Sequence, residues 1–261
     1  MTDLYDAIFK RRSVRKFIYE SISDADLKDI AKYIKSIEQL PGQKAEFAMG
    51  GEKDVRFGHA PYYIFAFCEP TTAAYMNVGY ILAQTELYIQ QKGWGSLWLG
   101  TKRPILENIT TKFPLCITMA FGRTLVEERK GLDEFERLDV LTISDKKNEI
   151  SEAARLAPSA TNSQPWRLKF DDEENQIIIN YVGRGPLRFF LKKRLNKIDL
   201  GIMAAFVSIA LDHVGATILS IKTSDIINSF SITVKYKNWL NRPTPVEDER
   251  KVILIRNKDL K

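Results

Sequence analysis

Apolar residues recur at helical spacing between residues 27 and 37, within the segment SISDADLKDIAKYIKSIEQL. Ser23 stands just before this run and Asp26 follows Ser23 by three residues, a pairing that satisfies the free N–H groups at a helix N-terminus. Pro41 and Gly42 end the pattern because neither residue continues a helix well. The sequence therefore predicts an amphipathic helix that opens at Ser23 and continues to Pro41.

A strand and a long apolar helix follow in the first half of the chain. The run PYYIFAFCEP at 61–70 is short, apolar and aromatic, as expected of a buried strand. The segment AAYMNVGYILAQTELYIQQKG at 73–93 predicts a buried helix with Gly93 just past its end. GSLWLGT at 95–101 is predicted to be a loop, and LCITMAFG at 115–122 a strand.

The second half shows the same order of elements. A helix, NEISEAARLA, ends before Pro158, and a strand pair is predicted around LKFDDEENQIIINYV. An apolar helix, IDLGIMAAFVSIALDHVG, follows, and strands are predicted at ATILSIKT and FSITVKY. The tripeptide ISD occurs at 22–24 and again 121 residues later, while Gly79 and Gly93 recur as Gly201 and Gly215 after 122 residues. Together these matches indicate an internal duplication.

The duplication is unequal at two places. At the position in the second half that corresponds to RRSVR, residues 11–15, the sequence has LDEFE at 132–136. At the position in the first half that corresponds to APSATNSQPW, residues 157–166, it has YIKSIEQLPG at 33–42, which is predicted to be helical. This pattern is expected if two paired ancestral subunits were fused and only one of two equivalent composite sites was retained.

Composition favours a soluble globular protein. The chain has 261 residues, of which 44% are apolar and 28% charged, enough for one large domain or two small ones. The longest apolar stretch, residues 200–211, is too short to span a bilayer, and the N-terminus has no apolar run typical of a signal peptide. We therefore predict a cytoplasmic protein that does not enter a membrane.

Several chemistries are disfavoured by residue usage. Cys68 and Cys116 lie 48 residues apart in apolar surroundings and are predicted to be buried free thiols. His59 and His213 have no partner at metal-ligand spacing, so no metal site is predicted. The net charge is +6, and the basic concentration at 184–197 is interpreted as a solvated face. It could also attract an anionic cosubstrate, whereas nucleic acid is unlikely as a partner without a binding motif.

Two motifs together resemble the nitroreductase family of flavin enzymes. They are LYDAIFKRRSVRKF near the N-terminus and EAARLAPSATNSQPWRLKF in the second half. The segment NVGYILAQTELYIQQKGWGSLWLGT also resembles that family's central helix and flavin-edge loop. The resemblance covers most of the chain and is greatest to the branch in which one chain mimics the usual homodimer. It implies an α+β nitroreductase-like fold of two halves related by a pseudo-twofold axis, residues 1–140 and 141–261.

The resemblance also implies where FMN would bind. The family pattern assigns the RRSVR segment to the phosphate, the ribityl chain and the pyrimidine edge, and a late arginine to the phosphate. It assigns the PSATN loop to the far side of the flavin, and the flavin-edge loop to backbone N–H groups near the reactive edge. The implied cofactor-binding residues are Arg11, Arg12, Ser13, Arg15, Gly100, Thr101, Arg129, Pro158, Ser159, Ala160 and Asn162.

Physical chemistry supports these residue types. Guanidinium groups bind a phosphate dianion bidentately, and a positive side chain such as Arg15 stabilises the charge of a reduced flavin. Asn162 both donates and accepts hydrogen bonds, as the polar edge of a flavin requires. The arginines could instead be a solvated helix end, and Gly100 a simple turn residue. Glu127 stands where the family often has lysine, and residues 45–60 have no assigned counterpart among the family's polar contacts.

The resemblance implies an oxidoreductase that uses FMN with NADH or NADPH as cosubstrate. A small electron-poor acceptor, such as a nitroaromatic compound or a quinone, would take the electrons in a ping-pong reaction, and one chain would function as a monomer. The alternatives are a non-catalytic flavin-binding protein and a related flavin enzyme of reductive dehalogenation or flavin breakdown. Phe189 and Phe190 are predicted to pack in the core, with a place in the acceptor pocket as the alternative.

Overall fold

The structure is a computed structural model that describes residues 4–56, 58–100, 105, 109–185, 188–226 and 229–238. Its elements alternate between helices and antiparallel strands in both halves of the chain. The first half contains α1 (Tyr5–Lys10), α2 (Asp24–Ser36), β1 (Ala45–Gly51), β2 (Tyr62–Cys68), α3 (Thr72–Gln91), β3 (Gly95–Leu99) and β4 (Leu115–Gly122). The second contains α4 (Val140–Ile143), α5 (Glu149–Arg155), β5 (Trp166–Asp171), β6 (Gln176–Tyr181), α6 (Arg188–Lys192), α7 (Leu195–His213), β7 (Thr217–Ile226) and β8 (Ser229–Lys237).

Each half builds one four-stranded sheet with the same strand order. The first sheet runs β1-β2-β4-β3 and the second runs β5-β6-β8-β7, and all neighbours are antiparallel. The predicted α+β fold of two related halves is therefore confirmed. The division between residues 140 and 141 remains a prediction, and it falls at the first residue of α4, which packs against α5 and β5 of the second half.

Two strands and one helix end differ from the sequence predictions. Residues 95–99, predicted as a loop, form β3 because they pair in register with β4, and β1 was not predicted because it is mostly half-buried and ends in two glycines. Helix α2 begins after the predicted cap, where the Ser23 side chain accepts from the Asp26 N–H, but it ends at Ser36. The helix prediction for 37–40 is wrong because tertiary contacts hold this segment: the Leu40 N–H donates to Asn77 Oδ1 at 2.8 Å.

The two long helices α3 and α7 form the centre of the molecule and cross at glycines. A Cβ added to Gly79 would lie 2.1 Å from the Ile198 carbonyl oxygen, and a Cβ added to Gly201 would lie 1.9 Å from the Met76 carbonyl oxygen. Gly201 and Ile198 lie 122 residues after Gly79 and Met76, so the two contacts are equivalent and the crossing repeats the internal symmetry of the sequence. Helix α3 has 14 buried residues out of 20, which is expected of a helix enclosed by protein rather than one lying on a surface.

Other predictions about residue classes can be compared directly with the structure. Cys68 and Cys116 are buried free thiols, as predicted. Within the described ranges, no helix has the length and apolar character needed to cross a membrane. In the same part of the chain, no three His, Cys, Asp or Glu side chains lie together in a way that could hold a metal ion.

Candidate functional site

A buried ion pair ties the segment after α1 to the central helix α3. Arg11 Nη1 donates to Glu86 Oε1 at 2.9 Å, and the exposed fractions of the two side chains are 2% and 0%. Ser96 Oγ of β3 donates to the same oxygen at 3.0 Å. Ser13 Oγ lies 3.4 Å from Arg11 Nη1. Because a buried charge is costly unless it is paired, this contact fixes the position of Arg11.

The backbone on either side of Ser13 is clamped between α3 and β3. The Gln90 side chain donates to the Arg12 carbonyl oxygen at 3.1 Å and accepts from the Arg12 N–H at 3.2 Å. Ser13 forms a parallel bridge with Ser96, and the Val14 N–H donates to the Ser96 carbonyl oxygen at 2.8 Å. The side chain of Arg12 forms an ion pair with Glu134. The extended segment thus follows the edge of the first sheet.

Arg129 lies next to this segment and carries a positive charge among other positive charges. Its Nη1 donates to the Arg11 carbonyl oxygen, its Nε donates to the Glu134 carbonyl oxygen at 3.1 Å, and its guanidinium lies 4.1 Å from the Phe135 ring centre. Burial first, and then the charges of Arg11 and Arg12, lower the pKa of Arg129 to about 10. The guanidinium therefore stays charged at neutral pH although its surroundings disfavour the charge.

Arg137 connects this cluster with the second half of the chain. Its Nη1 donates to Asn162 Oδ1 at 2.9 Å, and Asn162 Nδ2 donates to the Glu136 carbonyl oxygen at 2.7 Å. Burial, followed by the charges of Arg11 and Arg129, lowers the pKa of Arg137 to about 10. Positive charge thus accumulates where the two halves meet. We use the name arginine cluster for Arg11, Arg12, Arg129 and Arg137.

The loop after α5 brings its polar residues to this cluster in a strained conformation. Thr161 and Asn162 have φ values of 54° and 55°, a region that asparagine tolerates but a β-branched residue avoids. Gln164 holds the loop closed: its N–H donates to Ser159 Oγ at 2.8 Å, and its Oε1 accepts from the Leu138 N–H at 2.9 Å. Such strain persists only where the surroundings enforce it, and it often marks a functional site.

A buried carboxyl group of α7, that of Asp199, holds the same loop through a backbone hydrogen bond. Asp199 Oδ1 accepts from the Ala160 N–H at 3.0 Å, and Oδ2 accepts from Asn196 Nδ2 at 3.0 Å. Asn77 is the counterpart of Asp199, 122 residues earlier, and holds the Leu40 N–H in the same way. Burial raises the pKa of Asp199 to about 7. An amide therefore suffices for this support in one half, whereas the other half uses a titratable group.

We expect Asp199→Asn to remove a pH dependence of stability. The pKa of Asp199 is raised from 3.8 to about 7 on folding, so its contribution to stability is complete below about pH 4 and is lost as the pH rises through 7. The slope of the unfolding free energy should reach at most about 1.4 kcal/mol per pH unit in wild type. The unfolding free energy of the variant should depend less on pH, because asparagine does not titrate. Its side-chain oxygen still accepts the hydrogen bond from the Ala160 N–H.

Urea denaturation between pH 4 and pH 8 measures this difference. Asp133→Asn, which removes an exposed carboxylate from the surface, is the matched control and should leave the wild-type slope unchanged. Parallel curves for wild type and Asp199→Asn would show that Asp199 does not titrate in this range.

The structure describes three of the remaining predicted site residues, Gly100, Arg15 and Pro158. The Gly100 carbonyl oxygen accepts from Arg194 Nη2 at 2.8 Å, which ties the end of β3 to the start of α7. Arg15 is exposed and Pro158 is buried. Thr101 lies outside the described residues. Phe189 and Phe190 of α6 are 72% and 74% exposed, so the prediction that they pack in the core is wrong.

The comparisons with known proteins identify the family. A sequence profile described as "Putative TM nitroreductase" matches residues 3–210 of the chain. The chain belongs to this nitroreductase family. The resemblance stated from its sequence motifs is thereby confirmed. A search of curated protein sequences gives no match to this nitroreductase-family chain.

One solved structure shows the same fold over most of the chain, and two others match about half of it. A structure from Thermotoga maritima, described as "a putative nitroreductase", superposes with a TM-score of 0.64 at 18% identity and covers 89% of this chain and 93% of its own. An FMN-dependent nitroreductase from Clostridium difficile R20291 gives a TM-score of 0.40 at 15% identity, over 52% of this chain and 95% of its own. A structure from Desulfovibrio desulfuricans, described as a putative nitroreductase in complex with FMN, gives a TM-score of 0.39 at 17% identity and covers 53% of this chain and 98% of its own.

One expectation about the nitroreductase halves does not hold. The sequence offset matched LDEFE at 132–136 with RRSVR, as if the acidic segment occupied a second, equivalent site. In the structure Glu134 instead pairs with Arg12, so LDEFE lies beside RRSVR in the same cluster. The offset fails here because chain lengths outside the long helices differ between the halves.

Sequence reasoning also missed two residues of the candidate site. Glu86 is a carboxylate within an apolar helix, and such a residue needs a buried partner; this signal was available in the sequence. Arg137 gave no comparable signal, because its importance depends on the approach of Asn162 from the other half.

Proposed function

We propose that this chain is an FMN-dependent oxidoreductase whose FMN binds at the seam between the two halves. The observation that carries the proposal is the arginine cluster, which meets the strained loop of the second half at Asn162. Positive charge from one half and a polar loop from the other form a composite site, as the family resemblance implies.

The cluster has the properties of an anion site. Burial first, and then the charges of neighbouring arginines, lower the pKa values of Arg129 and Arg137, so an added negative charge would be favourable beside them. The buried Nε atoms of Arg11, Arg12 and Arg137 have no hydrogen-bond partner in the described part of the chain. A phosphate dianion supplies both charge and acceptor atoms, and arginine binds it bidentately. The residues therefore fit the phosphate of FMN.

We assign the predicted binding residues accordingly. Arg11, Arg12, Ser13 and Arg129 would hold the phosphate and the ribityl chain, and exposed Arg15 would reach the pyrimidine edge. The loop residues Pro158, Ser159, Ala160 and Asn162 would cover the opposite side, with Arg137 holding Asn162 in place. Gly100 and Thr101 would supply backbone N–H groups at the reactive edge.

The chain's own residues would orient the reactants and set the charge of the site. When bound, FMN supplies hydride and electron transfer between NADH or NADPH and a small electron-poor acceptor such as a nitroaromatic compound or a quinone. The positive side chains of the arginine cluster would stabilise negative charge on the bound cofactor. The exposed rings of Phe189 and Phe190 belong to the helix just before Arg194, which holds Gly100. They offer an apolar surface to a planar acceptor. The nicotinamide and the acceptor would bind one after the other at this apolar surface, and such alternating binding would give ping-pong kinetics.

Anaerobic reduction tests the function directly. The protein saturated with FMN should lose its flavin absorbance on addition of NADH or NADPH and recover it on addition of menadione or nitrofurazone. Steady-state rates at several acceptor concentrations should give parallel double-reciprocal lines. If FMN binds but neither nucleotide reduces it, the proposed enzymatic activity is contradicted and a flavin carrier is favoured. If FMN does not bind, the proposed binding site is contradicted.

We expect Arg129→Ala to weaken FMN binding at least about tenfold, because a charge-assisted hydrogen bond contributes roughly 1.5–3 kcal/mol. Arg123→Ala is the matched control, since Arg123 is exposed and pairs with Glu20 outside the cluster. Fluorescence titration of FMN measures both, and the wild-type affinity should fall with increasing salt. Equal FMN affinities of the two variants would show that Arg129 does not bind FMN.

We also expect one FMN per chain and an active monomer. The counterparts of Glu86 and Gln90, 122 residues later, are Ser208 and Asp212. The second half therefore lacks the carboxylate that fixes Arg11 and the amide that clamps the Arg12 backbone. Flavin released by heat, measured against protein concentration, and mass from light scattering test this expectation. Two flavins per chain, or activity confined to a dimer, would contradict it.

A further inference from the structure

Two adjacent phenylalanine rings project from the surface of the second half. Phe189 and Phe190 of α6 are 72% and 74% exposed, and among the described residues Leu125 is the one large hydrophobic side chain that is more exposed. Large apolar side chains that lie side by side in water often mark a binding surface. Rings exposed to this degree project outwards rather than line a groove, so this surface suits a partner into which the rings can insert.

The sequence around these rings is basic and contains no acidic residue. Residues 175–198 include six arginines and lysines and no aspartate or glutamate. Lys193 is exposed, and Lys192 Nζ lies 5.6 Å from the centre of the Tyr181 ring. Arg184 donates to two backbone carbonyl oxygens, at 3.3 and 3.4 Å. These contacts are with neutral groups, so they do not cancel the positive charge of the segment.

Lys197, at the end of this segment, has an acidic neighbour. Its Nζ donates to Thr72 Oγ1 at 2.7 Å, and the same hydroxyl group donates to Asp225. The five other basic residues still outnumber this carboxylate, and their potential extends over about 8 Å at physiological salt. The surroundings of the two rings therefore attract a negatively charged partner. We use the name basic–aromatic surface for Phe189, Phe190, Lys192 and Lys193.

Exposed aromatic rings beside lysines are typical of protein surfaces that bind membranes. Phenylalanine inserts at the boundary between headgroups and acyl chains, while lysine and arginine attract anionic headgroups. Interfaces between proteins are depleted in lysine. Proteins that bind single-stranded nucleic acid stack the bases on aromatic rings within a positively charged groove, whereas the rings of the basic–aromatic surface project outwards. The combination therefore favours lipid over protein or nucleic acid as the partner.

We propose that the basic–aromatic surface binds an anionic lipid bilayer, with Phe189 and Phe190 inserted at the level of the headgroups. The protein lies on the bilayer without crossing it. Two rings and a few positive charges give weak, reversible binding, comparable with that of a single myristoyl chain, whose association constant is about 10⁴ M⁻¹. The proposed function places the electron acceptor beside the same rings, so membrane binding would favour acceptors that dissolve in lipid. Only this last consequence rests on the proposed function.

Co-sedimentation of the full chain with sucrose-loaded vesicles tests the binding. The wild type should bind vesicles that contain phosphatidylglycerol, bind pure phosphatidylcholine at least about tenfold more weakly, and dissociate at high salt. Phe189→Ser combined with Phe190→Ser should weaken binding at least about tenfold, because burial of one aromatic ring contributes about this factor. Leu125→Ser is the matched control and should bind like wild type, since Leu125 is 87% exposed and lies close to Glu127 and Glu128 in the sequence.

The contribution of charge is measured in the same assay. Lys193→Gln should weaken binding to anionic vesicles about fivefold, the effect of one basic residue near such a surface. Lys28→Gln, which removes an exposed charge from α2, is the control and should bind like wild type. Equal binding of these two variants, or of the double phenylalanine variant and Leu125→Ser, would overturn the proposal. Binding to single-stranded RNA but not to vesicles would overturn it in favour of nucleic acid.

A fluorescent label shows whether the rings enter the bilayer. Phe190→Cys labelled with nitrobenzoxadiazole should shift its emission to the blue on anionic vesicles, whereas the same label on Leu125→Cys should not. Cys68 and Cys116 are each 1% exposed, so the native thiols stay unlabelled. Unshifted emission from position 190 in vesicle-bound protein would overturn the proposal. All these measurements are made without FMN, so their failure would leave the proposed flavin site untouched.

Discussion

Replacing Arg11 by alanine is expected to lower the unfolding free energy by about 3–5 kcal/mol and to abolish FMN binding at micromolar concentration. The stability loss is expected because Glu86, with 0% exposure, would be left in its buried site without its partner, and breaking a buried pair on one side has a cost of this size. The binding loss is expected because Arg11 stands at the centre of the arginine cluster. Urea denaturation and fluorescence titration measure the two effects separately.

The double variant Arg11→Met/Glu86→Leu distinguishes folding from binding. An apolar pair of similar volume can replace a buried ion pair with little loss of stability, so this variant should regain most of the unfolding free energy and still fail to bind FMN. A single variant as stable as wild type would show that the ion pair is not buried in solution. A double variant that binds FMN with wild-type affinity would remove Arg11 from the flavin site.

Gly201→Ala is expected to destabilise the chain by about 3 kcal/mol or more, at the upper end of the range for overpacking. The added Cβ would lie 1.9 Å from the Met76 carbonyl oxygen, and neither central helix can move away because both are enclosed by protein. Gly51→Ala is the control, since its Cβ would meet the Pro61 carbonyl oxygen at an ordinary 3.6 Å.

Gly79→Ala should destabilise the chain in the same way. Its effect on the unfolding free energy should not be additive with that of Gly201→Ala. Both substitutions force apart one helix crossing, so the second adds less than the first. Chemical denaturation of the two single variants, the double variant and Gly51→Ala measures these differences. Loss of stability in Gly51→Ala equal to that in Gly201→Ala would show that close approach of α3 and α7 is not the cause.

The long helices and most strands could be predicted from the sequence because local pattern decides them. The cap at Ser23 and the apolar length of α3 are properties of neighbouring residues, and Gly93, with φ 76°, ends α3 as expected. Strands β1 and β3 were not predicted because β1 is mostly half-buried and ends in two glycines and β3 has only five residues, so only their pairing with β2 and β4 identifies them.

The site was partly predictable for the same reason. The motifs around Arg11 and Asn162 were found because each is a local string of suitable residues, but their distance along the chain hides how they meet. Arg137 joins them only after the two halves have packed together. The ion pair with Glu86 likewise changes the expected behaviour of Arg11: a residue expected only to bind phosphate also contributes to folding.

The glycine crossing has a consequence for synthesis of the protein on the ribosome. Most of the surface of α3 must be covered by protein, yet α7, which packs against it, starts more than 100 residues after α3 ends. At cellular elongation rates this interval is on the order of 5–20 s. During that time the first half cannot complete its core and exposes an apolar helix, so nascent chains of this length are candidates for chaperone binding. Native structure can therefore form only after nearly the whole chain has been made, and the dominance of distant contacts makes this final step slow.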